Sequence, residues 1–162
     1  MTFHRKFPAF QKSQLSKMDK IIKILVIDDM EEIRILMERI LSGAGFEVLT
    51  ASSGEKGLEL TMKGRPDLVL LDINMPEMNG FEICQALREN STNNSMPIIM
   101  LTGDEAPSAI VRALERGADD YIIKIDGRTK LLKKINHLLS LAKTGKLPSQ
   151  IFREKGQPDF LK

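Results

Sequence analysis

The sequence predicts a doubly wound α/β fold, a parallel sheet of five strands with a helix after each. Three observations carry that expectation. Short apolar runs recur along the chain, stretches of helical period separate them, and four of the five runs end on a polar residue. Continuous apolar strands suit a sheet covered on both faces, and parallel neighbours require crossover connections.

Ile24-Leu25-Val26-Ile27 is the first run and ends at Asp28. A helix follows, with Ile33, Leu36, Met37, Ile40 and Leu41 on one stripe and Gly43 and Gly45 to stop it. Phe46 to Ala51 reads as the second strand. Ser53 is a candidate N-cap for a helix through Gly57, Leu58 and Leu60 that closes before Pro66. Leu68-Val69-Leu70-Leu71 is the third strand and ends at Asp72. A loop from Ile73 to Gly80 leads into a helix bearing Phe81, Ile83, Cys84 and Leu87. Pro97 opens the fourth strand, Ile98 to Leu101, which ends at Thr102. Ala109 to Arg116 is helical and closes at Gly117. Tyr121-Ile122-Ile123 is a short fifth strand ending at Lys124, and Leu131 to Leu141 is the last amphipathic helix. Right-handed crossovers turn this series into a flavodoxin-like (βα)5 sheet in the order 2-1-3-4-5.

The net charge of +2 hides an uneven distribution. Residues 1–23 carry six Lys/Arg against Asp19, residues 143–162 carry five against Glu154 and Asp159, and the body between is left at −6. The expected organisation is a basic extension (1–22), one α/β domain (23–142) and a basic C-terminal tail (143–162), with the ends forming tails or partial helices. No run approaches the roughly 18 apolar residues of a membrane span, and the basic N-terminus lacks the apolar core of a secretory signal. Cys84 is the only cysteine, which excludes an intramolecular disulfide and points to a reducing compartment, read as cytoplasmic.

In an open α/β sheet ligands bind beyond the carboxyl ends of the strands, at the switch point of the strand order. That rule gathers Asp28, Asp29, Asp72, Thr102 and Lys124 at one edge. Two unit charges about 4 Å apart repel by roughly 4 kcal/mol at an effective dielectric near 20, so three carboxylates together require protonation or a cation. Oxygen donors with open coordination positions suit Mg²⁺, and such a cation lets an anionic nucleophile approach an anionic phosphoryl donor. Asp72 can then attack phosphorus to form an acyl phosphate, with Lys124 and Thr102 contacting phosphate oxygens.

The strings ILVIDD, LVLLDINMPEMNG, PIIMLTG and GADDYIIK, occurring in this order, resemble the receiver domain of two-component response regulators from about Lys23 to Leu141. The resemblance, nearest to stand-alone chemotaxis-type regulators, makes 23–142 the receiver domain and Asp72 the phosphoacceptor. It implies an Mg²⁺ site, with Mn²⁺ as a substitute, built from Asp28, Asp29, Asp72 and the main-chain carbonyl of Asn74. It makes Thr102 the switch hydroxyl, Lys124 the phosphate-contacting lysine and Tyr121 the aromatic switch residue. The implied partners are a sensor histidine kinase or phosphotransfer protein and a downstream protein target. One position departs from the pattern: the proline usual after the lysine, in a cis peptide, is Ile125 here. A non-proline cis bond costs about 2.5–4 kcal/mol, so a trans bond is expected.

Taken singly, these residues have ordinary explanations. A strand-end Asp forms turns or caps helices, a lone Lys is solvated, and a strand Tyr is packing. Their coincidence at matching strand ends favours chemistry. His4 and His137 are isolated and read as surface residues, and Cys84 reads as core. A rival from another class, a phosphohydrolase of the haloacid-dehalogenase type, needs an acid/base Asp two residues after the nucleophile. Asn74 occupies that position and cannot transfer the proton. The expectation is therefore a phosphoacceptor with slow self-hydrolysis rather than a dedicated enzyme. Residues after Ala142 are too few for a helix-turn-helix module, so no direct DNA binding through an output domain is expected in them.

Overall fold

The computed structural model describes residues 20–103, 107–124 and 126–155. Strands β1 (Lys23–Ile27), β2 (Glu47–Ala51), β3 (Leu68–Asp72), β4 (Ile98–Thr102) and β5 (Asp120–Ile123) alternate with helices. These are α1 (Glu31–Gly43), α2 (Gly54–Gly64), α3 (Gly80–Glu89), α4 (Pro107–Glu115) and α5 (Arg128–Ala142), followed by a sixth, α6 (Pro148–Lys155). All strand pairs are parallel and the order is β2-β1-β3-β4-β5, as the apolar runs and crossovers predict.

Strand alternation splits the core in two. Leu25, Ile27, Val69, Leu71, Ile98 and Met100 face Ile83, Cys84 and Leu87 of α3 and Ala113 of α4. Ile24, Val26, Leu68, Leu70, Ile99 and Leu101 face Met37 and Leu41 of α1 and Leu131, Ile135 and Leu138 of α5. Both faces are covered, which is why these strands are continuous apolar runs rather than alternating ones. Helix α2 starts at the Ser53 cap, whose hydroxyl accepts from the Lys56 amide at 3.2 Å. Helix α3 starts on a capping box between Asn79 and Glu82.

One local difference from the sequence reading has a physical reason, and the ends of the described chain add two features. Leu36, expected on the buried stripe of α1, is 45% exposed. The buried line runs through Met37 and Leu41, one turn apart, and Leu36 lies about 100° around the helix from Met37. The segment after α5 is ordered by burial: Leu147 is fully buried in the second core, and α6 follows it directly. Lys20, at the start of the described chain, pairs with Asp67 at 2.6 Å. The bond into Ile125, expected to be trans, lies outside the described residues, as do His4 and the rest of residues 1–19 and 156–162. No described helix is long and apolar enough to cross a membrane.

Candidate functional site

The period of two along each strand delivers three charged side chains to one side of the sheet edge. Asp28 continues the face of Ile24 and Val26, Asp72 that of Leu68 and Leu70, and Lys124 that of Ile122. β1 and β3 are paired neighbours, so the two carboxylates converge. Asp28 is fully buried and Asp72 is 1% exposed, whereas Asp29 is exposed at the rim. One carboxylate oxygen from each of the three lies within 4.8 Å of the others.

Lys124 reaches in from the end of β5, where its amide donates to the Thr102 carbonyl at 2.8 Å. Its Nζ stands 3.0 Å from Asp28 Oδ2 and 3.1 Å from Asp72 Oδ1. Burial by itself disfavours the ammonium, but the hydrogen bonds and charges of Asp72 and Asp28 outweigh it and raise the lysine pKa. Asp72 moves the other way in charge. Burial first, and the Asp28 charge second, push its pKa up to about 6 against the opposing pull of Lys124 and of the Asn74 amide.

The backbone around the site is fixed from several sides. Asp28 Oδ1 accepts from the Met30 amide at 2.9 Å, and Asp72 Oδ1 accepts from the Asn74 amide at 3.2 Å. Asn74 therefore sits in the loop immediately above Asp72. Thr102 is 2% exposed at the end of β4. Tyr121 is half-buried on β5 opposite Met100, two residues before the Thr102–Ile123 register pair, so it lies diagonally across from Thr102 on the same face. Its ring carries the Lys134 ammonium 4.7 Å from its centre. The expected residues thus share one sheet edge, with Tyr121 one step below it.

Two contributors escape a reading of the sequence. Arg34 Nη1 donates to the carbonyls of Asp28 and Asp29, at 2.8 and 3.0 Å, and so holds the acidic turn from the first helix. Gly80 begins α3 against the end of β3. A Cβ there would meet the Asp72 carbonyl and lie 2.8 Å from Ile73 Cα, so only glycine permits this approach. The glycine closing LVLLDINMPEMNG was the available signal, but close approach is a tertiary fact.

Asp72 Oδ2 is buried with no hydrogen-bond partner. A buried, unsatisfied carboxylate oxygen beside two further acids is a costly arrangement unless something fills it. A hard divalent cation fits the donor set: all oxygens, one of the three acids open to solvent at the rim. The same oxygen is free to act as a nucleophile.

Comparison with known proteins gives one consistent result. The model of the response regulator receiver domain matches residues 24–136. The "Probable transcriptional regulator ycf27" of Porphyridium aerugineum is 43% identical over 117 residues, which are 72% of this chain and 48% of that protein. The response regulator MprA of Mycolicibacterium vanbaalenii is 40% identical over 118 residues, 73% of this chain and 50% of that one. The chain therefore spans about half the length of the curated relatives it matches. Among solved structures, the chemotaxis protein CheY4 of Vibrio cholerae superposes with a TM-score of 0.71 at 34% identity, over 74% of this chain and 99% of that one. A CheY-like receiver domain protein of Methanospirillum hungatei gives 0.71 at 31% identity, over 77% and 98%.

Proposed function

Because this chain belongs to the response regulator receiver domain family, we propose that it is a two-component signalling switch with Asp72 as its phosphoacceptor. The observation that carries the reading is the buried, unpartnered Oδ2 of Asp72, on a carboxylate whose Oδ1 meets an ammonium shared with the buried Asp28. Asp28, Asp29, Asp72 and the main-chain carbonyl of Asn74 would hold Mg²⁺, for which Mn²⁺ could substitute. When bound, the cation neutralises the acids and the phosphoryl oxygens, removing the charge barrier to transfer.

The donor is a phosphohistidine on a sensor kinase or phosphotransfer protein. An Asp72 oxygen attacks phosphorus; the new P–O bond forms as the P–N bond breaks, and the electron pair stays on the imidazole nitrogen. Lys124 exchanges one carboxylate for a phosphoryl oxygen. Thr102 donates its hydroxyl to another, and Tyr121 follows it inward, changing the surface of α4, β5 and α5. Readout is by protein contact with a downstream target rather than by DNA binding of these residues. Asn74 offers no acid for turnover of an outside substrate, so the chain acts as a slow self-hydrolysing phosphoacceptor and not as a dedicated enzyme. Its place of action is the cytoplasm, in keeping with a single buried thiol.

Incubation with acetyl phosphate and Mg²⁺ tests this directly. Wild type gains one base-labile phosphoryl group by intact mass, and Asp72→Asn gains none. Equal labelling of the two proteins, or undiminished labelling in excess EDTA, overturns the reading.

A further inference from the structure

Helix α6 lies beyond the residues matched by the family model, yet it is tied to the body by a buried polar node. Arg88, in the last turn of α3, pairs with Asp119 at 2.8 Å, with the side chains 7% and 0% exposed. Asp119 Oδ2 also accepts from the Ile98 amide at 3.0 Å, and its Oδ1 accepts from the Ser149 amide at 2.9 Å. The remaining donors of Arg88 go to the carbonyls of Gly117, Asn93 and Met96 and to Ser149 Oγ. Leu147 is fully buried beside this node, and its amide is closed by Gln150 Oε1 at 3.0 Å. Beyond Ser149, every residue of α6 is half-buried or exposed, Ile151 to 41%. The helix is therefore held mainly at its first turn, with one exposed bond beyond it, from Arg153 Nη2 to the Asn94 carbonyl at 3.1 Å.

The node joins two elements whose other ends reach the phosphoacceptor. Helix α3 begins at Gly80, pressed on the Asp72–Ile73 backbone, and carries Arg88 in its last turn. Strand β5 begins just after Asp119 and ends just before Lys124, which contacts Asp72. Ser149 meets the junction between them at the opposite edge of the sheet.

We propose that α6 is a detachable latch whose docking is coupled to the state of Asp72. This rests on Asp72 being the phosphoacceptor. The node requires the present spacing of α3 and β5, because hydrogen bonds of 2.8–2.9 Å weaken steeply when donor and acceptor are displaced. A phosphoryl group on Asp72 offers Lys124 a new partner and moves the end of β5 relative to α3. The latch fits the unmodified geometry, so it is released when the modified one is populated, and by linkage its release favours modification. A helix held by one buried leucine, one polar turn and one exposed hydrogen bond belongs to the low-stability end of a structure, where such opening is accessible.

The test is residue-resolved hydrogen exchange on the full chain with Mg²⁺, with and without beryllofluoride. The amides of residues 149–155 are expected to exchange at least about fivefold faster with beryllofluoride, a coupling of ordinary size. Asp72→Asn should show no such change. Leu147→Ala should exchange fast at 149–155 in both conditions while still accepting a phosphoryl group from acetyl phosphate. If the amides of Asn74 and Lys124 respond to beryllofluoride and those of 149–155 do not, the latch is overturned with the phosphoacceptor reading intact. If none of them responds, the phosphoacceptor reading fails and the latch falls with it.

Discussion

Lys124 Nζ lies 3.1 Å from Asp72 Oδ1, and the same ammonium meets Asp28 Oδ2 at 3.0 Å. One cation thus offsets two buried carboxylates from strands that are neighbours in space and 44 residues apart in sequence. Removing one partner of a buried ion pair costs about 3–5 kcal/mol because the other charge is stranded. Lys124 is 17% exposed, so the lower part of that range applies. Lys124→Ala should lose about 3 kcal/mol in urea denaturation with EDTA, and added Mg²⁺ should recover part of the loss. A loss under about 0.5 kcal/mol would mean that the pair contributes nothing.

Asp72 should make the metal-free protein less stable as pH rises. Its pKa is about 6 when folded and near 3.9 unfolded. The folded state therefore binds more protons between those values, and the stabilisation present below about pH 4 is lost as pH rises through 6. Asp72→Asn should abolish that slope and be more stable than wild type at pH 7 by on the order of 1–2 kcal/mol. Denaturation series at several pH values in EDTA measure this, and parallel slopes for both proteins contradict it.

Asp29 is exposed, so its loss should leave folding nearly unchanged, within about 0.5 kcal/mol. Its effect should fall on cation binding. Wild type should melt at higher temperature as Mg²⁺ is added, by mass action on the folded state, and Asp29→Asn should respond far less. Glu59→Gln, at a surface acid paired with Lys63, should respond like wild type. Identical responses of Asp29→Asn and wild type would remove Asp29 from the site.

Gly80→Ala places a methyl group against the Asp72 carbonyl and Ile73 Cα, both backbone. Rigid atoms cannot rotate away, so the start of α3 or the end of β3 must shift. The expected result is a loss of about 1–3 kcal/mol together with a marked drop in the rate of labelling by acetyl phosphate. A variant with wild-type labelling kinetics would show that the contact does not position Asp72.

Thr102→Ala should accept a phosphoryl group on Asp72 yet lose the conformational response. Tyr121→Ala should do the same, because the two residues lie diagonally across β4 and β5 on one face. Amide chemical-shift changes in α4, β5 and α5 on adding beryllofluoride report the response. Full wild-type changes in both variants would place the switch elsewhere.

The sequence by itself determined the fold class, the strand order and the residues at the strand ends. Apolar runs such as Leu68-Val69-Leu70-Leu71 are legible because burial on both faces leaves no room for polar residues, and the charges that do occur collect at the strand ends. Asp28, Asp72 and Lys124 were legible for that reason. Only the tertiary structure decided which oxygen of Asp72 is left unpaired, that Arg34 holds the acidic turn, and that Gly80 must be glycine. It alone also joined Arg88, Asp119 and Ser149, which are up to 61 residues apart, and so docked a helix where the sequence reading allowed a tail or partial helix. Periodicity reports which face of an element is buried. It carries no information about which distant donor meets which acceptor, because those distances are set by packing between elements rather than by the chain within one.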